Sequence, residues 1–401
     1  MKNILITGAV GFIGSALCSR LASGNEVIGV DITGPSDGEL NIAWESADLT
    51  DQDLVASLCE KHSPDVVIHC AGIAHQKIGT IDSAAYMRVN SEATENLARR
   101  ASEANPDVSF IFLSSISVYG EDPHPGGIRS AVTSEFHRAG ITQITRIKQK
   151  KTKNDAGVDE EGECRPSSDY AASKLDAERR LIALFDAGKL DNLTILRLAP
   201  VYDREWSLNL DRRVFAPGKL AYLRFGSGMQ RMSALGRPNL VDFIEFLVHR
   251  FHRFSQIKKN VSRKDAKTLS GEGYPHVSVV ENNPSNRCNL RMNVCDAEPY
   301  EFNRIIEVFK KSGIHPNRPV ILVPLFPVWV ATRVAGTFFP GKKSWFHSCY
   351  DKLASDLVFD NTRMLETGFV PRHSLETIFF SGAKKTGLAT DAHRLTQTST
   401  D

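Results

Sequence analysis

Seven residues near the start, Gly8-Ala-Val-Gly11-Phe-Ile-Gly14, constrain this chain more than any others. They follow an apolar run, Asn3-Ile-Leu-Ile-Thr7, that reads as a short buried strand, and the residues from Ser15 onward read as a helix. A glycine-rich turn between strand and helix lets backbone approach a pyrophosphate. The helix N-terminus there offers free N–H groups and a partial positive charge. A second strand-like run, 26–30, ends at Asp31, about 20 residues further on, where a carboxylate holds a ribose 2′-hydroxyl and repels a 2′-phosphate. These spacings predict a dinucleotide site, with NAD favoured over NADP.

Apolar runs at 42–44, 65–70, 108–113 and 193–198 alternate with helical patterns at 54–62, 86–104 and 170–185. That alternation predicts an α/β Rossmann-type doubly wound parallel sheet, with ligands at the carboxyl ends of the strands. Residues 1–200 are expected to form the cofactor-binding domain. Residues 201–401 are expected to form mainly a smaller substrate-binding region, with segments near 239–250 and 290–297 returning to the Rossmann core. No internal repeat is visible. A charged stretch at about 137–162, with the basic run Arg146-Ile-Lys-Gln-Lys-Lys-Thr-Lys153 followed by Asp159-Glu-Glu161, reads as an inserted solvated loop. The polar stretch 252–287 reads similarly.

Composition excludes some partners. A net charge of +2 with 24% charged residues gives no footprint for nucleic acid. Seven cysteines without a Cys-x-x-Cys pair suggest reduced thiols and no metal site. With a strand beginning at the third residue and no secretory leader, the expected location is cytoplasmic. The apolar stretch 320–339 contains Pro324, Pro327 and Arg333. A transmembrane span is therefore not expected, and the stretch reads as a buried or interfacial segment.

Two further motifs carry chemistry. In Tyr170-Ala-Ala-Ser-Lys174 the phenol and ammonium share one helix face, and a nearby cation is expected to lower the tyrosine pKa towards a value useful to a general base. In Leu113-Ser114-Ser115-Ile-Ser117-Val-Tyr119-Gly120 the hydroxyls lie where a strand ends, so Ser115 can hydrogen-bond a developing oxyanion and relay a proton.

Together with Asp48-Leu49, His69-Cys70-Ala71-Gly72, Asn90 and Arg197-Leu-Ala-Pro200-Val-Tyr202, these motifs make the chain resemble the extended short-chain dehydrogenase/reductases, and within them the NAD-dependent nucleotide-sugar epimerase/dehydratase group. The resemblance covers most of the first 250 residues. It implies that Gly8, Gly11, Phe12, Ile13, Gly14, Asp31, Asp48, Leu49, Cys70, Ala71, Gly72, Asn90, Tyr170, Lys174 and Pro200 contact NAD. Asp48 and Leu49 would flank the adenine, and Lys174 would grip the nicotinamide ribose. Ser115, Tyr170 and Lys174 would be catalytic.

A nucleotide sugar is the implied substrate, with Ser117 and Arg231 as candidates to contact it. Dehydratases of the group carry an Asp-Glu pair just after the catalytic hydroxyl residue; here those places hold Ile116 and Ser117, which disfavours dehydration. An epimerase acting at C4 of a UDP-sugar, with surface polysaccharide synthesis as its setting, is the leading expectation. A 4-ketoreductase of a nucleotide-linked 4-keto sugar and a non-catalytic NAD-binding protein are the alternatives. Asp203 stands where a glycine usually follows the Val-Tyr pair. The resemblance also implies a homodimer through the Tyr-x-x-x-Lys helix and the helix near 93–104, with Leu175, Leu181 and Ile182 supplying apolar surface.

Overall fold

The computed structural model describes residues 1–34, 42–74, 82–120, 157–260, 287–339, 341, 346, 350–351 and 353–381, with side chains not described for 251–260. The first apolar run forms β1 (Asn3–Thr7), and the glycine turn leads into α1 (Gly14–Leu21). Then come β2 (Glu26–Asp31), β3 (Ala43–Ser46), α2 (Gln52–His62) and β4 (Val66–His69). They are followed by α3 (Ser83–Met87), α4 (Ala93–Ala104), β5 (Ser109–Ser115), α5 (Asp169–Asp186) and β6 (Asn192–Leu198). Later elements include β7 (Tyr222–Phe225), α6 (Arg237–Asn260), β8 (Cys288–Val294), α7 (Phe302–Lys311), β9 (Val320–Val323) and α8 (Leu325–Phe338).

Seven strands make one parallel sheet in the order β8-β6-β5-β4-β1-β2-β3. The strand alternation divides their side chains between two cores. Ile4, Ile6, Ile111, Leu113, Leu196 and Leu198 pack on one face, beneath α1 and α6. Leu5, Val67, Phe110, Phe112, Leu193 and Ile195 pack on the other, beneath α2, α4 and α5. The order reverses between β1 and β4, which opens a crevice at their carboxyl ends, where ligands bind in such sheets. β8 lies beside β6 at one margin of the sheet, and Leu240, Phe243, Ile244 and Leu247 of α6 join the first core. A third cluster, built on Tyr202, Tyr222, Tyr300, Phe302, Phe309 and Phe379, belongs to the C-terminal half.

Five expectations need correction or a boundary. The helical pattern 86–104 is not one α-helix, because a π-helical turn, Arg88–Glu92, separates α3 from α4. Leu175 and Leu181 are buried and hold α5 to its own sheet, so of the three expected surface residues only Ile182, packed beside the second core, stays partly exposed. Of the 137–162 stretch, the basic run 146–153 lies outside the described residues, but its end is not a solvated charge run. There Val158 and Glu160 are buried, and the Glu160 carboxylate accepts the Asn293 amide at 2.6 Å. Residues 252–260 extend α6, and 261–286 lie outside the described residues. The 320–339 stretch is largely exposed rather than buried, with Gly336 the only residue of α8 that is buried.

Candidate active site

The glycine turn closes so tightly that side chains are excluded. Gly8 has φ +68°, and a Cβ there would lie 2.8 Å from the Ala71 nitrogen, while a Cβ on Gly14 would lie 2.1 Å from the Gly8 carbonyl oxygen. Gly11 donates its amide to the same carbonyl at 3.0 Å. The amides of Phe12, Ile13 and Gly14 then open α1 without a backbone acceptor among the described residues, as first-turn amides do. Asp31 sits beside this turn at the end of β2. One of its carboxylate oxygens accepts the Val10 amide (3.1 Å) and the other the Ile32 amide (2.8 Å). A backbone cradle with open amides and a carboxylate at its lip fits a dinucleotide bearing a free 2′-hydroxyl.

Phe12 is braced from outside the turn. The Arg237 guanidinium lies 4.4 Å from the ring centroid and donates to the Phe12 carbonyl at 3.1 Å, and Asp203 anchors that guanidinium at 2.5 Å. The unexpected aspartate thus supports the glycine turn through an arginine 34 positions later in the chain. Sequence reading singled out Asp203 only as a departure and missed Arg237, because their partnership exists only in three dimensions. Trp206 also faces Phe12, with ring centroids 6.1 Å apart. It lines a cavity of about 380 Å³ together with Arg204, Ser207, Asp211, Lys219 and His315.

At the ends of β1 and β4, buried His69 joins the sheet to α4 through Thr7 (2.6 Å) and Thr94 (2.8 Å). Burial lowers its pKa to about 3, which keeps the ring neutral. Cys70, Ala71 and Gly72 continue from β4. Burial raises the Cys70 thiol pKa, and the Ala71 amide donates to Thr7 Oγ1 at 3.3 Å. Asn90 lies within the π-helical turn, the kind of local distortion that redirects a side chain. Its amide nitrogen donates to the Ile73 carbonyl and to Ser173 Oγ, both at 3.0 Å, and its oxygen accepts the Ile73 amide at 2.7 Å. A Cβ on Gly72 would come 2.9 Å from Asn90 Oδ1 and 3.4 Å from Lys174 Nζ, so these three meet. Asp48 and buried Leu49 follow β3, and the Asp48 carboxylate accepts the Thr50 amide at 2.9 Å. The Pro200 carbonyl accepts the Leu235 amide at 3.1 Å.

The two adjacent serines of β5 part company. Ser114 points into the core and donates to buried Glu178 at 2.5 Å, beside the Arg197–Glu178 ion pair. Ser115 points the other way. It accepts from the Ser117 amide (3.2 Å) and hydroxyl (2.9 Å) and hydrogen-bonds the Tyr170 phenol. Tyr170 and Lys174 project from the first turns of α5, whose N-cap Ser168 accepts the Ala171 amide. Lys174 Nζ donates to the Leu113 carbonyl at 3.0 Å and lies 4.7 Å from the centroid of the Phe112 ring.

The electrostatics differ from the expectation. Burial raises the Tyr170 pKa above its ordinary value, the Ser115 hydrogen bond opposes that rise, and neighbouring Tyr86 of α3 adds to it. Lys174, one turn further along α5, is shifted as well. Burial lowers its own pKa to about 8, so the ammonium is itself only partly retained at mildly alkaline pH. Tyr86 was missed in the sequence, where nothing distinguishes it from an ordinary half-buried tyrosine. Arg231 stands apart from this group; its guanidinium and amide are held by Asp356 at 2.8–2.9 Å.

With this geometry in place, comparison with known proteins is decisive at the level of family. The model of the NAD dependent epimerase/dehydratase family matches residues 4–216. The chain belongs to that family. That family is one of NAD-dependent enzymes. Among curated relatives, a dTDP-glucose 4,6-dehydratase of Escherichia coli (strain K12) is 29% identical over 148 residues, covering 32% of this chain and 41% of that enzyme. A UDP-glucose 4-epimerase of Vibrio cholerae is 28% identical over 254 residues, covering 61% of this chain and 65% of the relative. The matches thus span less than two thirds of either relative. A solved UDP-glucose-4-epimerase from Stenotrophomonas maltophila, with bound NAD and formylated UDP-arabinopyranose, has a TM-score of 0.59 at 18% identity, covering 94% of this chain and 96% of its own. At that identity it supports the fold alone. Among the described residues no helix is long and apolar enough to cross a membrane.

Proposed function

We propose that this family member is a C4 epimerase of a UDP-sugar that works by reversible hydride transfer, with surface polysaccharide synthesis as its setting. The carrying observation is the hydrogen-bonded Ser115–Tyr170 pair, one helical turn from buried Lys174, at the carboxyl end of β5. Residues 1–200 serve the cofactor, and 201–401 serve mainly the substrate. Gly8, Gly11, Phe12, Ile13 and Gly14 hold the pyrophosphate, Asp31 the adenosine ribose, and Asp48 and Leu49 the adenine. Cys70, Ala71, Gly72, Asn90 and Pro200 line the nicotinamide half. Bound NAD supplies the hydride acceptor and donor.

Tyr170 takes the proton of the C4 hydroxyl while Ser115 hydrogen-bonds the same oxygen. A phenol whose pKa is raised by burial needs stabilising charge nearby when it ionises, and the ammonium of Lys174, on the same face of α5, is the available source. Inversion requires that C4 be reduced from its opposite face, and Tyr170 would give the proton back to the C4 oxygen. Ser117, bonded to Ser115, and Arg231 are the candidate substrate contacts. Elimination of water across two carbons requires an added acid and base. The residues following Ser115 are Ile116 and Ser117, neither of which is ionisable near neutrality, so dehydration is the weaker reading. A 4-ketoreductase would use the same three residues in the reducing direction. A homodimer remains the proposed assembly, with the outer faces of α4 and α5 as its surface.

The test is Tyr170→Phe assayed on a panel of UDP- and GDP-sugars, with mass and stereochemistry read separately. NAD affinity should be retained while kcat falls ~10²–10⁴-fold. Near-normal turnover in that variant would overturn the reading. An oxidised or reduced product without inversion would favour the reductase.

A further inference from the structure

The strand and helix at 320–339 present an apolar surface that the family chemistry does not use. Ile321, Leu322, Phe326 and Phe338 expose 50%, 54%, 73% and 76% of their surface. Val320, Trp329, Val330, Val334 and Phe339 are exposed beside them in sequence. β9 has a single partner among the described residues, pairing with β7 in a two-stranded sheet. On α8, Leu325, Val328, Thr332, Ala335 and Gly336 are the less exposed residues. At 100° per residue they form one stripe of about 100°. The wider remaining arc is open to solvent and carries Phe326, Trp329, Val330, Val334 and Phe338. Clustered exposed apolar side chains of this size mark an interaction surface.

Charge identifies the occupant. From Val308 to Tyr350 the sequence has no aspartate or glutamate, while Lys310, Arg318, Arg333, Lys342 and Lys343 fall inside that window and Lys311 there pairs with Glu307 at 3.7 Å. Arg333, the only charged residue of α8, lies 5.2 Å from the centroid of the Trp329 ring. Arginine and tryptophan together suit the boundary between headgroups and acyl chains, where the stem and ring are apolar and the tips stay polar. In a two-fold dimer the same basic segment would meet itself. An anionic lipid surface neutralises it instead. The helix has 14 residues and spans about 21 Å, too short to cross the bilayer and long enough to lie in its plane.

We infer that α8 and β9 dock the enzyme on an anionic phospholipid bilayer, with α8 lying in the plane of the interface. The proposal is independent of the reaction assigned above, since its readout is vesicle binding.

Flotation of the full chain with phosphatidylcholine vesicles, and with vesicles containing about 30% phosphatidylglycerol, tests it. The protein should float with the anionic vesicles at low salt and far less with the neutral ones. Salt at about 0.5 M should weaken the binding. The double substitution Phe326→Ser, Trp329→Ser should lower vesicle affinity about tenfold or more, with Tm and NAD binding unchanged, because both side chains are exposed. Brominated acyl chains should quench tryptophan fluorescence of the unmodified protein, a readout that holds even if the variant misfolds. Absence of flotation with anionic vesicles would overturn the proposal. So would a dimer in light scattering that the double substitution dissociates while vesicles bind neither protein, which would make a second copy the occupant.

Discussion

Lys174 shows how much a single site residue gives up for its place. It is buried, its Nζ has a backbone carbonyl as acceptor, and its pKa falls from 10.5 to about 8. The folded protein therefore releases this proton near pH 8, whereas the unfolded chain keeps it until near 10.5. Across that window the unfolded state binds more protons, so this group makes stability rise with pH, by at most about 1.4 kcal/mol per pH unit. Urea denaturation of the wild type and of Lys174→Met at pH 7.5, 8.5 and 9.5 should show the wild type gaining relative to the variant as pH rises. A constant difference would mean that the ammonium is not destabilised where it sits. The same substitution should weaken NAD affinity and lower turnover below that of Ser115→Ala, which deletes one hydrogen bond and leaves Tyr170 in place.

At the scale of elements, the glycine turn depends on pieces far away in sequence. Its shape comes from Gly8 and Gly14, but the position of Phe12 comes from Arg237 at the start of α6, held in turn by Asp203 after β6. Asp203→Asn keeps the size of the side chain and removes the charge that pairs with the half-buried guanidinium. We expect a loss of about 1.5–3 kcal/mol in stability, the range for a hydrogen bond to a charged group, and a several-fold rise in the KM for NAD, with kcat little changed. Thermal unfolding and initial-rate kinetics check both. Unchanged NAD affinity would show that the brace supports the fold without reaching the cofactor. The π-helical turn at Arg88–Glu92 has a comparable part, since it aims Asn90 at both the β4 loop and α5.

Across the whole molecule, the C-terminal half is tied to the Rossmann core by buried polar groups. The Asp296 carboxylate accepts from Gly236, Asn239, Tyr202 and Tyr300 at 2.7–2.9 Å, donors that oppose the upward pull of burial on its pKa. Glu160 is a second tie: besides the Asn293 amide it meets Arg363 at 3.3 Å, while Val158, two residues earlier, bridges Phe359. Two excisions should therefore behave differently. Removing 146–153 with a short linker should leave the thermal midpoint within a few degrees. Extending the cut through Glu160 should lower it sharply, because the Asn293 amide and Val358 carbonyl lose buried partners. Equal midpoints for the two excisions would contradict the tie.

The parallel sheet, the glycine turn, Asp31 at the end of β2 and the Ser115, Tyr170 and Lys174 positions were all legible in sequence. Each rests on local rules, namely short apolar runs alternating with helical patterns, a glycine-rich turn between strand and helix, and an i, i+4 helix face. Tertiary structure decided what depends on distant neighbours. It separated Ser114 from Ser115 by giving the first to Glu178, and it let burial raise the Tyr170 pKa. It also recruited Arg237 through Asp203, buried Glu160, and left the 320–339 segment exposed. Such outcomes follow from which surfaces meet and how much water each meeting removes, and no window of adjacent residues contains that information.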